Sequence, residues 1–188
     1  MIPPGAVMRA LGFFAATLVL VPLAWGDPWP SIPIPPGNGR TLRAPAPRPA
    51  PGDIDRRARL LAAALRTGAD DDLERATAFF LPRDPFLAMK DMSGAAGYFA
   101  TLVRWFRRDV TRYRERHPWL ARSTFVRFEL SRACTWMSVG REANRLPYWS
   151  CYRSRLVLAH DGREERLESR VMIHWGDQWF CTHLAPRE

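Results

Sequence analysis

The sequence lacks the local signatures on which most enzyme assignments rest. It has no glycine-rich loop placed to cradle a phosphate, no helical His-Glu-x-x-His and no nucleophile elbow. Nucleotide-dependent, zinc-hydrolase and serine-hydrolase chemistry therefore find no motif to stand on. Lysine is almost absent, with Lys90 alone against 27 arginines, a skew that reflects a GC-rich genome more naturally than selection for binding. A membrane span is not supported either, because the apolar stretch from Leu11 to Ala24 is shorter than the roughly 20 residues a spanning helix requires. No cysteine ends that stretch, so a bacterial lipid anchor is not indicated.

What the stretch does resemble is an export signal. Arg9 precedes it, Ala24-Trp25-Gly26 puts small residues where a signal peptidase needs them, and Met8 is an alternative start. Residues 1–26 are thus expected to be a secretory signal, cleaved after Gly26. In Asp27–Gly52, nine of 26 residues are proline. Proline removes amide donors and fixes φ, so this segment is expected to be a polyproline-leaning linker of up to about 3.1 Å per residue. Behind an uncleaved signal it would hold residues 53–188, the expected single globular domain, away from a membrane.

Arginine and lysine exceed aspartate and glutamate by 9, or 8 once Arg9 is lost with the signal. On an exported chain such a balance points to anionic lipid, lipopolysaccharide or acidic polysaccharide, an anionic envelope polymer, rather than nucleic acid, or else to a plainly solvated surface. No cofactor is implied.

The first half of residues 53–188 is helical by period. Asp53 is placed to cap a helix with Ile54, Ala58, Leu61, Ala62 and Leu65 on one face, and Gly68 ends it. Asp70 to Asp72 put negative charge at the start of a short second helix carrying Leu73, Ala76, Phe79 and Phe80. Asp84-Pro85 opens a turn of helix through Met89. The longest helix, about Ala95 to Arg116, has Phe99, Leu102, Val103, Phe106, Val110 and Tyr113 as its apolar stripe and stops at His117-Pro118. Arg104, Arg108, Arg112 and Arg116 recur along it at i, i+4. Like charges at that spacing repel by tenths of a kcal/mol per pair unless offset by Asp109, Glu115 or an external anion, which makes these four the candidate anion-binding residues.

After Trp119 the period falls to 2, and Phe125–Val139, Tyr148–His160, Arg166–Trp175 and Gln178–Leu184 read as strands. The layout is α+β: two to three N-terminal helices packed on a curved antiparallel sheet of four or more strands in meander order. A two-residue turn at Gly176-Asp177 pairs Trp175 with Gln178, Ile173 with Phe180, Val171 with Thr182 and Ser169 with Leu184, and makes that face the core. His174, Cys181 and His183 then project from the opposite face. His174 and His183 lie roughly 13 Å apart at 3.3 Å per residue, too far to share a metal. With His117 at a helix end and His160 at a strand end, no histidine is assigned a catalytic or metal role.

The same arithmetic sets Cys134 opposite Cys151, and Cys151 opposite Met172, which faces Cys181. A Cys134–Cys151 disulfide is expected, with Cys181 left over two strands away. Packing Phe128 against Leu158 and Leu130 against Leu156 wants a register one residue different, which calls for a β-bulge near Ser131-Arg132 or gives up one criterion.

Helices followed by a tryptophan-containing meander ending in IHWGDQWFCTHL resemble the nuclear transport factor 2-like superfamily, also called SnoaL-like or cystatin-like. The resemblance spans about Asp53 to Leu184 and implies a sheet wrapped around helices with an apolar pocket. The short strand such folds place between the second and third helices is not evident in LPRDPFLAMKDM. Members include dehydratases and isomerases alongside many without known chemistry, and none of their catalytic arrangements maps onto named residues here. The expected function is an exported, non-catalytic domain binding an unidentified small apolar ligand or a protein. The rivals are a dehydratase- or isomerase-like enzyme, which requires a pocket with at least two titratable side chains from helix and sheet, and a basic envelope protein that binds polyanions.

Overall fold

In a computed structural model, the residues described are 46–48 and 53–184. The export signal expected over 1–26, the rest of the expected linker and the Asp53 side chain expected to cap the first helix lie outside them. Four helices come first: α1 (Asp53–Thr67), α2 (Asp70–Ala76, extended by a 3-10 turn Thr77–Phe79), α3 (Arg83–Met89) and α4 (Ala95–Arg116). Strands β1 (Thr124–Glu129), β2 (Cys134–Met137), β3 (Tyr148–His160), β4 (Arg163–Trp175) and β5 (Gln178–His183) follow. They form a curved, unclosed antiparallel sheet in the order β1-β3-β4-β5, with β2 pairing β3 beside β1. The fold is therefore α+β in a meander-like order, and the turn of helix read at Asp84-Pro85 is α3.

The apolar periods explain why these segments bury the faces they do. Ile54, Ala58, Leu61 and Leu65 of α1 are buried, as are Phe99, Leu102, Phe106, Val110 and Tyr113 of α4, whereas Val103 is only half-buried. They pack with Phe79, Phe80, Phe128, Leu156 and Leu158 in one core, where burying each large apolar side chain contributes about 1.5–3 kcal/mol. At the end of α1 the chain reverses through Gly68 at φ 66°, and Arg114 of α4 donates from Nε to Leu65 O (3.1 Å) and from Nη2 to Thr67 O (3.1 Å). Two of the terminal carbonyls that an α-helix leaves unpaired are satisfied in this way.

The register conflict is resolved by a break in the ladder. Cys134 stands opposite Cys151, while Phe128 opposite Leu156 is one step out of phase with β2, and a further register shift between Phe125 and Arg127 leaves Phe125 opposite Leu158, two steps out. The expected single strand Phe125–Val139 is therefore two strands, separated at residues 130–133. There Ser131 N donates to Ser154 Oγ (3.1 Å) and Tyr152 N to Ala133 O (3.0 Å), which keeps the interrupted backbone hydrogen-bonded. The expected Phe128–Leu158 and Leu130–Leu156 contacts are replaced accordingly.

Cys134 and Cys151 lie at disulfide distance, Sγ to Sγ 1.94 Å, and clip β2 to β3. Cys181 is free and fully buried. Between α2 and α3, Phe80 forms a parallel bridge with Cys181, and Leu81 N donates to Cys181 O (2.8 Å). The segment in which no strand was evident thus closes the outer edge of β5 with a single bridge.

Candidate functional site

The four arginines of the α4 ladder do not form one open row. Arg104 donates to Thr101 Oγ1 (2.8 Å), whereas Arg108 pairs with the buried Asp109 carboxylate at 3.1 Å and lies over the Trp105 ring (5.9 Å). Arg112 is half-buried and Arg116 is exposed. A 100° step per residue rotates i, i+4 positions by 40° each, so the row winds around the helix, with Arg104, Arg108 and Arg116 exposed and Arg112 half-buried. Nothing in the geometry draws them into a single site.

The histidines are placed differently from the sequence reading. From the turn, Trp175 pairs with Gln178, Ile173 with Phe180 and Met172 with Cys181, but Val171 pairs with His183 instead of Thr182. Thr182 is the extra residue of a bulge, and such a bulge shifts the face on which the following residue stands. His183 therefore lines a partly open cavity together with Val171 and Ile173, the expected core-face residues. The face opposite Ile173 and Phe180 is not a solvent face either, since Met172, Trp179 and Cys181 are all buried. His174 lies against Trp179 with its ring tilted by 59° (5.0 Å between ring centres), and burial pulls its pKa down to about 4. Burial likewise pushes the Cys181 thiol up to about 12, with Ser169 Oγ 3.5 Å from its sulfur.

The cavity has a volume of about 140 Å³ and lies between α3, α4, the loop after β2 and the sheet. Phe86, Met89, Leu102, Val171 and Ile173 give it apolar walls. Its polar groups come from four separate elements: Lys90 at the end of α3, Glu142 in the loop after β2, Tyr148, Ser150 and Tyr152 on β3, and Thr182 and His183 on β5. Exposed Tyr98 and exposed Glu142 form part of its rim.

That loop is held against α3 by several bonds. Asp91 N donates to Ala143 O (2.7 Å), Arg145 N to Met89 O (2.9 Å), and the Arg145 guanidinium to Ala88 O and Leu87 O (2.9 and 2.6 Å). Lys90 Nζ donates to Glu142 O (2.9 Å) and Asn144 Oδ1 (2.8 Å). These bonds hold Glu142 and Ala143 at φ 50° and 52°, a left-handed backbone that residues other than glycine adopt at a cost.

The electrostatics of the cavity follow from burial. Desolvation lowers the Lys90 pKa, opposed by the nearby Glu142 charge. Desolvation also lowers the His183 pKa, helped by Arg170, and so keeps its imidazole as the free base at neutral pH. The Tyr148 hydroxyl, 3.3 Å from Glu142 Oε2, is raised by burial and stays protonated. A neutral base, a neutral acid, an amine and a carboxylate therefore share one cavity.

Sequence reasoning found none of this set. Lys90 was noticed only for its rarity, Glu142 lay in what read as a turn, and His183 was placed on the wrong face because a one-residue bulge leaves no mark in the hydrophobic pattern. Among the described residues no three histidine, cysteine, aspartate or glutamate side chains converge as a metal set, and no helix is long and apolar enough to cross a membrane. Comparison with protein-family models, with curated proteins and with solved structures finds no match to this chain.

Proposed function

We propose that this protein is an exported binding domain that holds a small, partly apolar ligand in the cavity between α3, α4 and the sheet. The observation carrying the reading is the cavity's lining, which combines apolar walls with hydroxyl, imidazole and amine groups. Small-molecule sites have this composition because apolar walls supply affinity and a few placed polar groups fix orientation. At about 140 Å³ the space suits a benzene-sized molecule or the tip of a larger one. Helices followed by a meander, with a cavity between them, fit the resemblance to the nuclear transport factor 2-like superfamily, and the disulfide suits an oxidising compartment. Titration with benzyl alcohol is expected to move the methyl resonances of Met89, Leu102 and Ile173 at millimolar concentration. Shifts confined to surface residues, with those methyls unmoved, would remove the cavity from the account.

The His183 bulge favours a second reading, an acid–base enzyme of the isomerase or dehydratase type. A desolvated free-base imidazole beside a protonated tyrosine is suited to moving a proton at a carbon next to a carbonyl. Exchange of the α-protons of a small ketone in deuterated water, followed by NMR and lost in His183→Gln, would establish it. Exchange no faster than in buffer alone would end it.

A further inference from the structure

Lys90 is the one lysine of a chain that uses arginine 27 times, and it stands in the cavity wall. Strapping the loop to α3 does not require a lysine, because Arg145 makes the same kind of bond to Ala88 O and Leu87 O alongside it. What an amine can do and a guanidinium cannot is give up its proton and act as a nucleophile near neutral pH.

The surroundings favour that role. Lys90 Nζ makes two hydrogen bonds, to Glu142 O (2.9 Å) and Asn144 Oδ1 (2.8 Å), both neutral oxygens. A free amine has two N–H groups to satisfy them, which leaves its lone pair uncommitted. Half-burial among Phe86, Met89 and Tyr148 disfavours the charged form, and the pKa is lowered accordingly. Glu142 near Lys90 offsets whatever positive charge remains, so the cavity offers no net attraction to an anion and suits a neutral guest.

We propose that Lys90 is a carbonyl-capturing amine, whose Nζ condenses with a small aldehyde or ketone seated in the cavity to form a Schiff base. This rests on the cavity being the ligand site. The Nζ lone pair forms a C–N bond while the carbonyl π pair moves to oxygen, which takes up a proton. The nitrogen then loses a proton, the C–O bond breaks as the nitrogen lone pair forms the C=N bond, the hydroxyl leaves with a second proton as water, and the nitrogen gives up its remaining proton. One amine and one carbonyl give one imine and one water, with no change of oxidation state. Tyr148 and His183, lining the same cavity, are the acid and base available for these transfers.

The test is reductive trapping of the full chain with benzaldehyde and cyanoborohydride at pH 7, followed by peptide mapping, which separates Lys90 from the α-amino terminus. Lys90 is expected to be benzylated at least about 10-fold faster in the native protein than in the same protein unfolded in urea, where its amine has an ordinary pKa. Benzyl alcohol, which matches the ring but lacks the carbonyl, is expected to slow the native reaction several-fold, and Lys90→Arg to abolish the internal adduct. Equal rates in native and unfolded protein would overturn the proposal, as would fast labelling that benzyl alcohol leaves unchanged. If benzyl alcohol still raises the melting temperature while labelling is slow, the amine chemistry alone has failed. If it does neither, the cavity is not a ligand site.

Discussion

His183 stands opposite Val171 because Thr182 bulges out of the ladder that joins β4 to β5. Were the ladder regular, with Thr182 opposite Val171, alternation would carry His183 to the other face, away from Ile173 and the cavity. Deleting Thr182 would set His183 directly after Cys181 and still opposite Val171, so the imidazole is expected to stay in the cavity. By histidine NMR titration, His183 should have a pKa below the ordinary value, for which desolvation is the main cause, both in the intact protein and in the deletion variant. Return of the variant's titration to the ordinary imidazole value would mean that pairing with Val171 does not decide where the imidazole goes.

Acid should weaken the fold through His174. Its imidazole takes a proton only near pH 4 in the folded state, but near 6.5 when unfolded. Between these values the unfolded chain binds more protons, so stability is fully present above about pH 6.5 and falls as the pH drops toward 4. His183, also lowered, contributes in the same sense. Melting temperatures by calorimetry should fall by several degrees from pH 7 to 4.5, and His174→Gln should flatten that dependence. A variant with the full wild-type slope would place the effect elsewhere.

Gly68 and Arg114 are coupled by space. A Cβ on Gly68 would collide with the Arg114 guanidinium, and the residue sits at φ 66°. Gly68→Ala is expected to cost about 1–2 kcal/mol in urea unfolding, part from the left-handed backbone and part from displacing the guanidinium that caps α1. Arg114→Ala removes the cap and the clash together. The double variant should therefore be less destabilised than the sum of the two single ones, and strict additivity would show that the arginine moves aside freely.

These relationships differ in how far the sequence discloses them. The long helices α1 and α4 and the antiparallel order were legible in the change of period from 3.6 to 2, although two to three helices were expected where the structure has four. The hairpin at Gly176-Asp177 was legible because its turn fixes the pairing of Trp175 and Gln178. The breaks were not. The interruption at residues 130–133 appeared only as a conflict between two packing criteria, and the Thr182 bulge did not appear at all, because Cys181, Thr182 and His183 are each compatible with either face. The cavity depends on both bulged β5 and the loop at Glu142, which the end of α3 holds from about fifty residues earlier in the chain. Such long-range strapping has no local signature, so Lys90, Glu142, Tyr148 and His183 were invisible as a set.

The three cysteines make a final prediction that separates covalent from buried sulfur. Cys134 and Cys151 face one another across adjacent strands, whereas Cys181 is fully buried on β5, its backbone paired with the Phe80–Leu81 segment and its thiol pushed by burial up to about 12. A thiol that is neither accessible nor ionised does not attack an alkylating reagent. Iodoacetamide should leave the native, unreduced protein unmodified and label one site, Cys181, once urea is added. Mass spectrometry of the unreduced digest should recover a peptide linking Cys134 to Cys151. Reduction opens a loop of sequence separation 17 and should lower stability by about 3 kcal/mol on the chain-entropy estimate, measured as a drop in the urea midpoint. Recovery of Cys181 in the crosslink, or its alkylation in the folded chain, would overturn the pairing of β5 with β4 and with it the placement of His183 in the cavity.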